Sequence, residues 1–313
     1  MKYKALDGLR GIGAFAVYLN HFFQMFFNLT FDNGGIKWVE RPPDLLRVYR
    51  NSPFAIINHG YFWVVIFFML SGFVLPLKYF QSGKMSCVTG GIFRRYPRMM
   101  LPVLMTYTTI YTVIRMKVTR HDWPFPARDR NLQQVIADSL FGVWMGQNDY
   151  FSATWTIGIE LFASYVVYMV AVMMMHTERP RVVLSVIIAL LMIPQITDAY
   201  EITHYNVSKF QFHLPIFLVG TLLSYSEAHP EAKGLFDNVR NWGYLASGLR
   251  NTFLFTLFFV YGSNTGKFHC EHLRDGDCTF WVRATLNWQI PQMFSLYVAA
   301  LAIIVLTLVS ETV

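Results

Sequence analysis

The chain alternates between long apolar stretches and shorter polar ones. A helix that crosses a bilayer needs about 20 mostly apolar residues, and eight stretches approach this length. They lie at roughly Ile12–Leu29, Asn58–Leu77, Met99–Ile114, Thr154–Met175, Val182–Ile196, Phe210–Tyr225, Gly243–Tyr261 and Trp288–Val309. Asn131–Trp144 is less apolar and is typical of a short interfacial or re-entrant helix. The pattern predicts an all-α, polytopic transmembrane helical bundle of about eight spans, in a single domain over residues 1–313.

The composition agrees with a protein that resides in a membrane. Of the 313 residues, 54% are hydrophobic and 14% are charged, where soluble domains carry roughly 25% charged residues. Such low charge excludes a disordered chain. The net charge of +7 is accompanied by no Lys/Arg-rich tract or RNA-binding signature, so we expect no nucleic-acid partner.

The orientation in the membrane is predicted from residues outside the spans. Lys and Arg are balanced between the two sides, so the positive-inside rule does not decide. With a cytosolic N-terminus, the sequons at Asn28 and Asn206 face the lumen or exterior. Cys270 and Cys278 then share that oxidising side, where they can pair. We therefore expect the N-terminus in the cytosol; chance sequons and free thiols are the alternative.

Arg10 and His21 are the first ionisable residues that interrupt the apolar pattern, and such residues are functional candidates by default. They are eleven residues apart, almost three turns, which places them on one helix face roughly 16 Å apart. A cation at the cytosolic boundary and an imidazole deep in the membrane suit a long donor with an anionic head. His21 is a candidate general base. The alternative is a helix–helix hydrogen bond for His21 and a membrane anchor for Arg10.

Two further charged groups lie near predicted spans. Arg94, Arg95 and Arg98 precede the third span, and guanidinium groups bind phosphates bidentately; contact with lipid headgroups is the alternative. Glu160 lies early in the fourth span, where a carboxylate is costly unless it is paired. The open partners for Glu160 are His21, an arginine or a substrate hydroxyl, and a packing ion pair is the structural alternative.

Other chemistries receive little support. His269, Cys270, His272 and Cys278 lie close together in the sequence, but their spacing matches no standard zinc site, so no metal is predicted. The chain has no G-x-S-x-G, P-loop or H-E-x-x-H pattern, which counts against serine catalysis and nucleotide hydrolysis. His213, inside the sixth predicted span, is a weaker titratable candidate.

Four short motifs follow one another between residues 6 and 165. They are LDGLRG at 6–11 with His21, FFMLSGFV at 67–74, RRYPR at 94–98, and Trp155-Thr156 with Glu160. In this order they resemble the motifs of the acyltransferase 3 family, the integral-membrane O-acyltransferases. Each motif alone is weak, whereas four in the same order are specific.

The resemblance implies a bundle of about ten helices that transfers an acyl group, most often acetyl, from acyl-CoA to a hydroxyl. His21 matches the family's essential histidine, and Glu160 matches the acidic residue of the fourth motif. Arg10, Arg95 and Arg98 match arginines implicated in the donor site. Acyl-CoA is then the donor substrate, and no permanently bound cofactor is expected. The remaining partners are the lipid bilayer and a hydroxyl-bearing acceptor, such as a carbohydrate.

Two departures from the family pattern leave other interpretations open. Many members have a doubled acid where this chain reads Glu160-Leu161, and the family normally continues into two further spans beyond the equivalent of Val313. A truncated, catalytically inactive member is therefore one alternative. A proton-coupled transporter, with His21 and Glu160 as a proton relay, is another, although the sequence shows no repeated pair of broken spans.

Overall fold

The structure, a computed structural model, describes residues 3–27, 56–57, 59–116, 131–145, 154–196, 207–229, 244–262 and 292–310. In these residues the backbone forms nine α-helices and one π-helical segment, with no strand. The helices are α1 (Lys4–Phe27), α2 (Gly60–Ser82), α3 (Met85–Arg115), α4 (Leu132–Ala137), α5 (Trp155–Met175), α6 (Pro180–Ile196), α7 (Val207–Ala228), α8 (Tyr244–Gly262) and α9 (Gln292–Ser310); the π-helical segment is Asp138–Gly142. The all-α class is confirmed for these residues.

Two of the described helices, α2 and α5, are long and apolar enough to cross a membrane. Shorter apolar stretches lie at Pro180–Ile193 in α6 and Leu296–Val309 in α9. Each of the eight apolar runs in the sequence coincides with a helix, which satisfies its backbone groups internally, as lipid requires. A polytopic bundle is consistent with this arrangement, and the count of eight spans stays a prediction.

The chain divides into two compact units. The first unit comprises Met1–Leu70, Met192–Ala199 and Ser226–Val313, and the second comprises Ser71–Leu191 and Tyr200–Tyr225. The first unit therefore contains α1, α8, α9 and the beginning of α2. The second unit contains the rest of α2, all of α3 to α5, and most of α6 and α7.

In the first unit, α1 buries one narrow stripe of residues along its length. Gly13 of this stripe lies against the rings of Trp63 and Phe67 on α2, and Asn20 lies against Gly60 at the start of α2. Small residues in such a stripe let helix backbones approach closely, which favours packing inside a membrane. The buried stripe consists of Leu6, Leu9, Gly13, Ala16 and Asn20.

In the second unit, α3 and α5 pack against α4 and the π-helical segment. One buried cluster joins Val103 and Tyr107 of α3 to Val135 and Val143. The Tyr107 hydroxyl lies 3.0 Å from the Thr154 hydroxyl just before α5. The predicted helix at Asn131–Trp144 is thus present as two short helical segments that support α3.

The helix α3 begins earlier than the sequence predicts. Its first residue is Met85, whereas the apolar run begins near Met99. Arg94, Arg95 and Arg98, which precede the predicted span, therefore lie inside this helix, and the start of the span stays a prediction. Charge excluded these residues from the apolar run, yet a helix accommodates an arginine wherever a neighbouring helix supplies its counterion.

Gly72, in the FFMLSGFV motif, permits close contact between α2 and α7. A Cβ atom at this position would overlap the backbone carbonyl group of Phe217. The Thr221 hydroxyl also donates to the Gly72 carbonyl oxygen, at 3.3 Å. The glycine is required here because the two helix backbones touch.

We expect Gly72→Ala to lower the free energy of unfolding by about 1–3 kcal/mol, because the added methyl group overpacks the contact between the helices. Thermal unfolding of the purified protein in detergent measures the effect. Gly248→Ala in α8 is the matched control, since nothing lies within 4 Å of its added Cβ. That control should be slightly stabilised, because alanine favours a helix over glycine by roughly 0.5–1 kcal/mol. Equal midpoints for the two variants would contradict the required contact.

Candidate active site

Arg10 and His21 lie on one uninterrupted helix, α1. The Arg10 Nη1 atom donates to Asp7 Oδ1 at 3.1 Å, and both side chains are partly exposed to solvent. Exposed pairs of this kind contribute only about 0–1 kcal/mol. Asp7 therefore orients the guanidinium of Arg10 through a weak ion pair that another anion can replace. Arg10 remains accessible to such an anion.

His21 is exposed on α1. It follows the buried Asn20 by one residue, which turns its side chain about 100° away from the buried stripe. The stripe that packs against other helices passes beside His21, so the imidazole lies outside the buried stripe, and its depth in the membrane stays a prediction. The exposed ring can be reached by a reactant without displacement of the core.

A network of four side chains in the second unit surrounds Glu160 of α5. Glu160 Oε1 forms an ion pair with Arg95 Nη2 of α3. The Ser71 hydroxyl of α2 donates to the same carboxylate oxygen at 3.0 Å. Arg95 Nε donates to the Ser164 hydroxyl at 2.9 Å, and that hydroxyl donates to the Glu160 backbone carbonyl at 2.5 Å. We call these four residues the Arg95–Glu160 network.

The network is largely shielded from solvent. The Arg95 side chain is 11% exposed and the Glu160 side chain is 24% exposed, while Ser164 is fully buried. Ser71 lies at the middle of α2, a candidate membrane span. Opposite charges in such a setting are tolerated because each neutralises the other. Of the partners that the sequence left open for Glu160, Arg95 is the one in contact with it.

The Arg95–Glu160 network leaves part of the guanidinium group unused. A guanidinium carries five N–H donors, and the bonds to Glu160 and Ser164 use two of them. Arg95 is therefore held in place by protein groups, while three of its N–H groups have no hydrogen-bond acceptor among the residues that the structure describes. A fixed guanidinium with remaining donors is suited to bind an anion.

The other two arginines of the cluster, Arg94 and Arg98, are exposed on α3. Tyr168 of α5 carries its hydroxyl against Gly91 of α3, where an added Cβ atom would meet it. That hydroxyl interacts electrostatically with Arg94, Arg95 and Arg98. The contact between α3 and α5 thus combines three cations with a phenol, an arrangement that favours anionic ligands.

At the start of α5, Trp155 of the fourth motif packs against His213 of α7. The two ring centroids are 5.7 Å apart, and His213 is buried. The weaker histidine candidate therefore lies in the second unit, beside a motif residue. Its burial keeps the imidazole ring away from solvent.

Comparison with known families decides the identity of the chain. The family model of acyltransferase 3, described as an acyltransferase domain, matches residues 3–311. The chain belongs to the acyltransferase 3 family. The resemblance drawn from the four motifs is confirmed, and the match covers nearly the whole chain. No curated protein and no solved structure matches the chain.

Membership in the acyltransferase 3 family indicates transferase activity in a membrane-associated protein. In this member, the structure brings together the second, third and fourth motifs through Ser71, Arg95 and Glu160. Arg98 lies one turn from Arg95 on α3. Arg10 and His21 of the first motif lie in the first unit.

Two residues of the Arg95–Glu160 network, Ser71 and Ser164, are not among the candidates from the sequence. Only Ser71 has a signal in the sequence. The sequence feature that indicates Ser71 is its hydroxyl group in the middle of the apolar FFMLSGFV motif, where a polar group requires a hydrogen-bond partner.

Some of the sequence candidates lie outside the described residues. These are Asn28, Asn206, His269, Cys270, His272 and Cys278. Within the described ranges, no group of three or more His, Cys, Asp or Glu residues is arranged to hold a metal ion.

Proposed function

We propose that this acyltransferase 3 protein is a multi-pass membrane O-acyltransferase. It transfers an acyl group, acetyl in the first instance, from acyl-CoA to a hydroxyl of a sugar or another small molecule. The observation that supports this proposal is the Arg95–Glu160 network, in which three family motifs meet. Because apolar residues often replace a buried ion pair at no cost in stability, we infer that this pair has a functional role.

The arginines are assigned to the acyl-CoA donor. Arg98 is exposed and lies three residues after Arg95, so the two side chains can point the same way on α3. Arg95 is already held by Glu160 and Ser164, so it loses little conformational freedom when it binds a phosphate. Arg10 of α1 supplies a further accessible cation near the N-terminus, on the side assigned to the cytosol.

His21 is assigned as the general base. Its imidazole takes the proton of the acceptor hydroxyl while that oxygen attacks the thioester carbonyl carbon. The carbon–sulfur bond then breaks, and the imidazolium returns the proton to the departing CoA sulfur. The products are an acyl ester and free CoA thiol. The exposure of His21 lets the acceptor approach the ring directly.

Glu160 is assigned to orientation. Its Oε1 atom is engaged by Arg95 and Ser71, so the carboxylate is held in a fixed position. The second oxygen, Oε2, is left to orient the acceptor through a hydroxyl other than the one that attacks, because the single proton of the attacking hydroxyl goes to His21. A single acid suffices for this role, which agrees with the Glu160-Leu161 sequence.

Release of CoA thiol from acetyl-CoA tests the proposed activity. Purified protein in lipid nanodiscs is incubated with acetyl-CoA and a panel of sugars, and both the thiol and the acetylated sugar are measured. We expect thiol release that depends on the acceptor.

We expect Arg98→Gln to raise the KM for acetyl-CoA by roughly tenfold, because the variant loses about one charge-assisted hydrogen bond to the donor.

Arg115→Gln is the matched control, because Arg115 is an exposed arginine on the same helix that the proposal gives no role. Its KM should stay at the wild-type value. Uptake of a solute coupled to pH, without thiol release, would instead indicate a transporter. Absence of both would indicate a member that is catalytically inactive.

A further inference from the structure

A groove with a volume of about 380 Å³ runs along one side of α6 in the second unit. Its walls are apolar apart from Arg181 at one end and the Ser185 side chain. Val182 and Val186 are 60% and 52% exposed there, and the groove extends roughly 12 Å along the helix at 1.5 Å per residue. The residues that line it are Arg181, Val182, Ser185, Val186 and Ala189.

Arg181 places a cation at one end of this groove. Its guanidinium lies over the ring of Tyr225 of α7, with 5.8 Å from Cζ to the ring centroid. Tyr225 is itself held edge-on by Phe80 of α2, with centroids 5.2 Å apart. Two aromatic rings therefore fix the position of the cation.

The Nε atom of Arg181 is buried and, within the described part of the chain, has no hydrogen-bond partner. A buried donor without an acceptor is costly, and no protein acceptor among the described residues neutralises the partly exposed Arg181 side chain through this atom. The acceptor that best matches a guanidinium is a phosphate or carboxylate. A cation at the head of an apolar groove is thus complementary to an anion that carries an apolar tail.

We propose that the α6 groove binds an anionic phospholipid of the bilayer. The phosphate is bound by Arg181, and one acyl chain lies along Val182, Val186 and Ala189. A soluble anion would gain nothing from these apolar walls, whereas a lipid buries its chain against them. The site lies outside the catalytic assignments above and does not depend on the transfer reaction.

Native mass spectrometry of the full chain in detergent, titrated with phosphatidylglycerol or phosphatidylcholine, tests this site. We expect the wild type to bind phosphatidylglycerol in preference to phosphatidylcholine. Arg181→Gln should weaken phosphatidylglycerol binding by about tenfold, through loss of the charge-assisted bonds. Ala189→Phe should weaken the binding of both lipids, because it fills the groove and leaves the cation in place.

Arg115→Gln is the matched control, since Arg115 also lies over a tyrosine ring, that of Tyr111, at 5.2 Å, but lines no part of this groove. It should leave lipid binding unchanged. Equal losses in Arg115→Gln and Arg181→Gln would reduce the effect to general surface charge and overturn the proposal. Displacement of phosphatidylglycerol by stoichiometric acetyl-CoA would also overturn it, by assigning the groove to the donor. Thermal unfolding of each variant verifies that the fold is retained.

Discussion

Replacement of His21 by alanine is expected to lower acetyl transfer by about 10²–10⁴-fold, the usual contribution of a general base. The unfolding midpoint should stay unchanged, because His21 is exposed and lies outside the buried stripe of α1. Initial rates of acceptor acetylation in nanodiscs, with thermal unfolding of the same preparation, measure both quantities. Added imidazole should restore part of the rate, since the exposed site admits a small base.

Asn20→Ala is the matched control for this experiment. Asn20 is buried and lies against Gly60, so its truncation should lower stability while the rate per folded molecule is retained. The two neighbouring substitutions then separate packing from catalysis. Acetyl transfer at the wild-type rate by His21→Ala would refute the assignment of His21 and the mechanism built on it.

The apolar pattern predicts where the helices lie, because a chain in lipid must bond its own backbone groups. It predicts the start of α3 poorly. The predicted span begins at Met99, after Arg94, Arg95 and Arg98, because a charge in an apolar helix is disfavoured when nothing is known about its partner. The partner, Glu160, is 65 residues away in the sequence, and no local pattern contains that information.

The motifs predict candidate site residues, but they do not predict which of these residues contact one another in the fold. Glu160 and Arg95 are candidates from the sequence, but their contact depends on the rotation of α3 and α5 about their axes. Ser71 enters the site for the same reason. The spacing of residues along one helix shows which side chains share a face, but it does not determine how that face is turned toward a neighbouring helix.

The position of His21 shows a second physical limit. On a soluble helix the buried side is the apolar side. On α1 the exposed side is apolar as well, with Ile12, Phe15 and Tyr18 each about 60% exposed. In lipid, the side of a helix that packs against other helices is rich in small residues rather than in the most hydrophobic ones. Gly13 and Ala16 therefore indicate the buried stripe of α1, which hydropathy alone does not reveal.

Loss of the carboxylate in Glu160→Met is expected to lower the free energy of unfolding by about 3 kcal/mol, because it leaves the Arg95 charge buried without its counterion. Arg95→Met should cost a similar amount. The double variant should recover most of the stability, since two apolar side chains pack where the ion pair lay. Unfolding of the three variants in detergent gives a coupling energy, which we expect to be about 2 kcal/mol or more.

The exposed pair Asp7 and Arg10 is the control cycle, with an expected coupling energy of only about 0.2–1 kcal/mol.

The rate of acetyl transfer by the double variant distinguishes a structural role of the Arg95–Glu160 pair from a functional one. If Arg95 binds the donor, the double variant regains its stability and still fails to transfer acetyl groups, because the guanidinium that meets the phosphate is gone. A double variant that is both stable and active would show that the network only packs α3 against α5. Additive costs in the two single variants would show that the ion pair contributes nothing as a pair.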